Sequence, residues 1–191
     1  VTGTRRVFID ANVFVVNWVT DVLLTFADWN LVSPFWSNKV MSEAAEAIRK
    51  VKGLDPSRYI DTIRDAFDRA EVLVTDADLA GIELPDPNDC HVVARAREAG
   101  CDVIVTYNLK DFPDSSMEGT GVRAVHPDEL LAEIASSDPE KAIAAMEALI
   151  SSKQRPPRTM ETEIEGLRAR GLIKFADLLT DGFSAIGPSS D

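Results

Sequence analysis

The sequence predicts an α/β protein with a mainly parallel central sheet, and two features carry that expectation. Short apolar runs bounded by polar residues recur through the first 125 positions, and the stretches between them place apolar residues at three- and four-residue spacing. The first pattern is that of strands buried on both faces and the second that of helices covering a sheet, so their alternation implies parallel strands joined by helical crossovers. At 191 residues the chain can bury about 70 % of its unfolded surface without a staple.

Arg5-Arg6-Val7-Phe8-Ile9-Asp10 holds the first run, with three apolar residues between a basic lead and an acid. Leu31-Val32 with Phe35, Val72-Leu73-Val74, Val103-Ile104-Val105 and Val122 to Val125 are similar, and helices are expected over roughly 20–28, 37–51, 56–70 and 88–99. After Val125 the composition turns helical, from Pro127 to Ala135 and from Pro139 to Ser152. Arg155-Pro156-Pro157-Arg158 breaks that run, because neither proline donates a helix hydrogen bond. Thr159 to Arg170 resumes it, with Thr159 and Thr162 as candidate N-caps, Gly171 as a stop, and a last short helix to about Thr180. Two domains are therefore expected: an α/β domain over 1–137 and a helical C-terminal extension over 138–191, with a frayed tail from Gly187.

Hydrophobic residues at 45 % and charged residues at 27 % exclude a disordered chain, and no apolar run approaches the ~18 residues that span a bilayer. Val-Thr-Gly-Thr leads straight into the first strand without the pattern of a signal peptide, so the expected location is the cytoplasm. Cys90 and Cys101 lack metal-binding spacing, even with His91 and His126 added, and read as reduced core thiols. Twenty basic against thirty-two acidic residues give a net charge of -12, which excludes a general electrostatic grip on nucleic acid. Any polyanion must be held locally or through a cation.

Four carboxylate positions stand where a solvated surface would not put them. Asp10 ends the first strand and should emerge at the carboxyl edge of the sheet, although a turn Asp or an N-cap to the segment from Ala11 accounts for it equally. Glu43 falls at the edge of the stripe formed by Val40, Ala44, Ala47, Ile48 and Val51, while Glu46 points away; a salt-bridged boundary Glu is the plain alternative. Asp89 lies on the face marked by Val92, Val93, Ala96 and Ala99, where a charge is costly. Asp86-Pro87-Asn88-Asp89 also reads as an N-cap followed by Pro at N1 and an acid at N3, which accounts well for Asp86 and less well for Asp89. Thr106, Asn108 and Asp111 follow the Val103-Ile104-Val105 strand, in a segment that resembles any Asn- and Asp-rich turn.

Taken together, these acids are able to converge beyond the carboxyl ends of parallel strands, where ligands gather in such sheets. Clustered carboxylates repel one another, and a divalent cation relieves that repulsion. Oxygen ligands without a His or Cys cluster favour Mg²⁺ or Mn²⁺, which activates water and neutralises a phosphodiester. His91, projecting from the polar side of its helix, and His126, preceding a Pro, read as structural. Trp18, Trp29, Trp36 and Phe35 read as core or contact residues rather than base-stacking ones. Lys39, Arg95 and Lys110 are the basic residues nearest the acids in sequence segments.

The wording and order of four segments, Val7 to Val13, Ser37 to Glu43, Leu84 to Ala96 and Val105 to Pro113, resemble PIN-domain ribonucleases. Within that superfamily the chain is similar to VapC-type toxins of toxin-antitoxin systems, in a longer variety with a helical C-terminal extension. The resemblance implies a PIN-like three-layer α/β/α fold and a Mg²⁺- or Mn²⁺-dependent endoribonuclease. It matches Asp10, Glu43 and Asp89 to the three core acids, places Asn108 where many relatives have an acid, and leaves Asp111 to take over that role. Asn12 and Thr106 match polar positions that line such sites, and Asp86 supports them. The partners it implies are an RNA substrate, a second copy of the chain, and a small antitoxin that often offers an Arg to the acidic hole.

Two other classes compete with that reading. A fold-retaining module that binds antitoxin or RNA without turnover is suggested by Asn108 and the charge of -12. A phosphatase of the haloacid-dehalogenase kind shares an Asp after its first strand, but wants a second Asp where this chain has Asn12.

Overall fold

The computed structural model describes residues 4–72, 81–153 and 158–186, with side chains to residue 182. The expected strand residues Leu73 and Val74, the break at Arg155 to Pro157 and the tail from Gly187 lie outside the described residues. The chain divides into two compact units, one of residues 1–20 and 33–126 and the other of residues 21–32 and 127–191.

The first unit holds the sheet. Its elements are β1 (Arg5–Ile9), α1 (Ala11–Phe14), the start of α2 (Asn17–Asp28), β2 (Val32–Ser37), α3 (Asn38–Lys52), α4 (Ser57–Ala66), β3 (Glu71–Val72), α5 (Cys90–Glu98), β4 (Val103–Val105), α6 (Asp114–Met117) and β5 (Arg123–Val125). The strands form a five-stranded parallel sheet in the order β3-β2-β1-β4-β5. Val7, Phe8 and Ile9 pair with Val103, Ile104 and Val105, and those residues pair in turn with Arg123, Ala124 and Val125. Val7 to Ile9 and Val103 to Val105 are at most 1 % exposed, so both faces of the central strands are covered, as their unbroken apolar runs require.

The strand order has one consequence for function. From β1 the chain proceeds outward through β2 to β3, then returns to β4 beside β1 and proceeds outward the other way to β5. The carboxyl ends of β1 and β4 therefore flank the point where the winding reverses, the place where sheets of this kind bind ligands.

Trp36 of β2 is fully buried and meets Phe14 edge-on at 5.7 Å and Phe67 at 6.3 Å, so it is a core residue. Arg6 stacks its guanidinium 4.1 Å above the Phe35 ring and donates from Nε to the Ala99 carbonyl at 2.9 Å. Ser37 caps α3 by accepting from the Val40 amide at 3.2 Å. Gly53 ends that helix at φ +65°, a left-handed conformation that glycine adopts without steric cost. Val40, Ala44 and Ile48 are buried as the stripe predicted, but Val51, in the last turn of α3, is 69 % exposed. Cys90 and Cys101 are buried free thiols, and burial pushes the Cys101 thiol up to about 12.

Several boundaries shift. α2 begins three residues earlier than expected, and α4 stops at Ala66 rather than near residue 70. The 88–99 helix starts as a 3₁₀ turn over Pro87–Asp89 before α5 proper.

The second unit contains the remainder of α2 with α7 (Pro127–Ser137), α8 (Pro139–Ser152), α9 (Met160–Ala169) and α10 (Ile173–Ile186). Leu130, Leu131, Met146, Leu167, Phe175 and Leu179 are at most 1 % exposed, and Phe26 meets Phe175 edge-on at 5.8 Å. α7 packs with α8 and α10 within this unit; we propose 1–137 and 138–191 as the domain bounds. Thr159 caps α9, and Thr162 answers as its capping-box partner instead of forming a second cap. Gly171 turns the chain at φ +81°, and α10 extends beyond Thr180 to Ile186. Buried Asp128 accepts from the amides of Lys174 at 3.1 Å and Phe175 at 2.9 Å, satisfying donors that the first turn of α10 leaves open. Asp128→Ala strands those amides and should lower unfolding free energy by about 1–3 kcal/mol, measured by urea denaturation; an unchanged midpoint would show that solvent serves them equally well.

Candidate active site

Asp10 follows β1 directly, and its backbone amide still bonds the Val105 carbonyl at 3.1 Å. Its side chain N-caps α1, with Oδ1 accepting from the Ala11 amide at 2.7 Å. The residue is thus both the cap and the strand-end acid that its position suggested. Oδ2 accepts from Thr106 Oγ1 at 2.7 Å and from Asn12 Nδ2 at 2.6 Å. Thr106, fully buried at the end of β4, also accepts from Asn12 Nδ2 at 2.8 Å and from the Asn108 amide at 3.0 Å. Its one donor and two acceptor positions are all engaged. Asn12 Oδ1 accepts from the Tyr107 amide at 3.0 Å, so three side chains stitch the carboxyl end of β1 to that of β4. Asp10 is only 7 % exposed, and burial raises its carboxyl above the usual range despite those donors, with Glu43 adding to the rise.

Glu43 projects from α3 with Oε1 3.2 Å from His91 Nε2 and 3.7 Å from Lys39 Nζ. Asp89 closes the Pro87–Asp89 turn, which Asp86 caps by accepting from the Asn88 amide at 2.9 Å. Asp89 is therefore half-buried just ahead of α5, not centred on its apolar face, although the cost of its charge remains. Burial, then Asp10, Asp86 and Asp111, push its carboxyl up to about 6. Asp111, on a 3₁₀ turn over Leu109–Asp111, accepts from Asn108 Nδ2.

The structure thus brings Asp10, Asn12, Thr106 and Asn108 into one hydrogen-bonded network and sets Glu43, Asp86, Asp89 and Asp111 within electrostatic reach of it or of one another. Of the basic neighbours, Arg95 is engaged with Glu98 at 2.5 Å and Lys39 leans on Glu43. His91, read as structural from the sequence, joins the acids instead. No helical spacing rule pairs it with Glu43, because the two lie 48 positions apart on different helices.

The donor set is one of carboxylate and amide oxygens, and burial together with the neighbouring carboxylates raises Asp89. That chemistry fits a hard dication such as Mg²⁺ or Mn²⁺. Among the described residues no three His, Cys, Asp or Glu side chains close on a single point as a dehydrated cage would require. The fit is to a largely hydrated ion held by one or two carboxylates, the usual manner of Mg²⁺.

A sheet wound outward from two central strands, with carboxylates gathered where the winding reverses, defines a doubly wound α/β protein with an acidic switch-point site. Residues 6–110 match the model of the PIN domain family and residues 127–181 that of the VapC50 C-terminal domain. The first match spans more than half of the sequence, and the chain belongs to the PIN domain family, with a C-terminal extension of the VapC50 type. It is 33 % identical over 79 residues to a Mycobacterium tuberculosis (strain ATCC 25618 / H37Rv) protein described as "Putative ribonuclease VapC50". That match covers 41 % of this chain and 47 % of the relative, so the chain spans about half the length of the protein it matches. No solved structure matches it. Asp10, Glu43, Asp86, Asp89 and Asn108 fall within the matched PIN span, and Asp111 lies one residue beyond it.

A carboxyl whose folded value exceeds its unfolded value favours the folded state below the unfolded value, and that advantage is lost as pH rises through the folded one. For Asp89 the window runs from about 4 to about 6. In EDTA, Asp89→Asn should therefore be more stable than the parent at pH 7.5, with the two urea midpoints converging below pH 4. A variant less stable at pH 7.5 would remove the repulsion argument.

Proposed function

We propose that the chain is a Mg²⁺- or Mn²⁺-dependent endoribonuclease that acts as the toxin of a type II toxin-antitoxin pair, in the cytoplasm and as a homodimer. The observation that carries this reading is the gathering of Asp10, Glu43, Asp89 and Asp111 at the β1–β4 switch point, where burial first, and then the neighbouring Asp10, Asp86 and Asp111, lift Asp89 to about 6. The ribonuclease description of the M. tuberculosis relative supports the choice of substrate.

Asp10, Glu43, Asp89 and Asp111 are the carboxylates that would hold the cation, directly or through its water. The bound cation supplies water activation and charge neutralisation at the scissile phosphodiester. Thr106 and Asn12 fix the Asp10 carboxylate before substrate arrives, so little ordering is left to accomplish at the moment of reaction. Asn108 and Asp111 hold each other at the mouth of the β4 end, where an amide in place of an acid lowers the negative charge and weakens the cation's hold. Asn12 is committed to Asp10, Thr106 and the Tyr107 amide and brings no acid to the phosphatase reading. An antitoxin Arg reaching the acids would displace the cation and silence the site.

The absence of a closed three-ligand group among the described residues favours one alternative, a PIN-fold module that binds antitoxin or RNA without turnover. Incubation of a structured RNA with the purified chain separates the two. Cleavage should require Mg²⁺ or Mn²⁺, stop with EDTA, and fall at least about 100-fold in Asp10→Asn. RNA retention with no cut product, or equal cleavage by Asp10→Asn, would leave only the binding module. Cation affinity should also rise with pH up to about 6, as Asp89 ionises, and level off above it in calorimetric titrations.

A further inference from the structure

Glu43 has no rigid partner on its own helix. Lys39, one turn earlier, is half exposed and 3.7 Å away, a contact that solvent and salt weaken. Glu43 itself is 39 % exposed, and an unheld Glu on a helix surface samples several rotamers. His91 differs from Lys39 in kind. Its side chain is 12 % exposed, it enters from α5, and its Nε2 lies 3.2 Å from Glu43 Oε1. Its Nδ1 is wholly enclosed, with no hydrogen-bond partner among the described residues. An N–H at that atom would be an orphaned buried donor, so the ring proton belongs on Nε2, where it donates to the carboxylate. Both basic contacts fall on Oε1. Oε2 has no partner among the described residues and is the oxygen left for a cation or its bound water.

We propose that His91 is a positioning residue for Glu43: a buried imidazole that fixes one carboxylate oxygen of α3 from α5 and thereby presents the other to the dication of the switch-point site. The assignment rests on the metal-dependent reading above. It gives a residue outside the acid set a defined part in the site, since carboxylates that hold metals are themselves oriented by hydrogen bonds, whose loss typically costs 10–100-fold in affinity or activity. Lys39 is not equivalent, because a mobile ammonium attracts the carboxylate without fixing its angle.

Mn²⁺ binding to the full chain, followed by electron paramagnetic resonance of the free ion, tests the assignment independently of RNA cleavage. His91→Ala should weaken Mn²⁺ binding about 10-fold, whereas His91→Gln, whose amide nitrogen reaches close to the place of Nε2, should stay within about threefold of the parent. His91→Asn, one methylene shorter, should behave as Ala does. If His91→Ala does not fold, the Gln and Asn variants carry the comparison. In a Glu43→Gln background the His91→Ala loss should vanish, because the two residues act through one carboxylate. Equal affinities for parent, Ala and Gln, or fully additive losses with Glu43→Gln, would overturn the positioning role while leaving the metal site standing. A parent chain that binds no Mn²⁺ would overturn both this role and the reading beneath it.

Discussion

A carboxylate that is 7 % exposed at the end of a central strand is the constraint on which the site depends. Asp10 cannot retreat to solvent, because Ile9 before it is buried in the sheet and α1 begins immediately after it. Its charge must be met where it stands, and the chain meets it with Ala11, Asn12 and Thr106, three donors drawn from two strand ends. Those bonds only partly offset desolvation, so the carboxyl stays above its ordinary value. The remaining demand for positive charge is what the proposed cation would meet.

That demand is spread rather than concentrated. Glu43 acts on Asp10, and Asp10, Asp86 and Asp111 act on Asp89, so the acids form a linked field instead of a closed cage. A field of this kind suits an ion that keeps most of its own water. In the metal-dependent reading proposed above, it would also explain how a chain of net charge -12 could address a polyanion: the attraction would be lent by the ion at one place and would not be a property of the surface.

Much of the first unit was legible residue by residue. Val7 to Ile9 and Val103 to Val105 declared themselves as doubly covered strands because three consecutive apolar residues have no solvent face to offer. Asp86 and Thr159 announced their helix starts, because capping is chemistry between near neighbours. Val51 was misread for the opposite reason. Periodicity places it on the stripe of α3, but whether anything lies opposite depends on distant elements, and among the described residues it is left 69 % exposed. The contact of His91 was equally out of reach, since Glu43 belongs to another helix.

Sequence alone determined which residues end the central strands and which cap several of the helices, because each of these is settled within one or two turns of chain. Only the tertiary structure decided that β1 lies between β2 and β4, and with it that Asp10 meets Thr106 across 96 positions and Glu43 meets His91 across 48. The reason is that strand order is chosen by the packing of the whole sheet and its helices. No short segment holds that information, and carboxylates brought together by it change one another's ionisation only once the sheet exists.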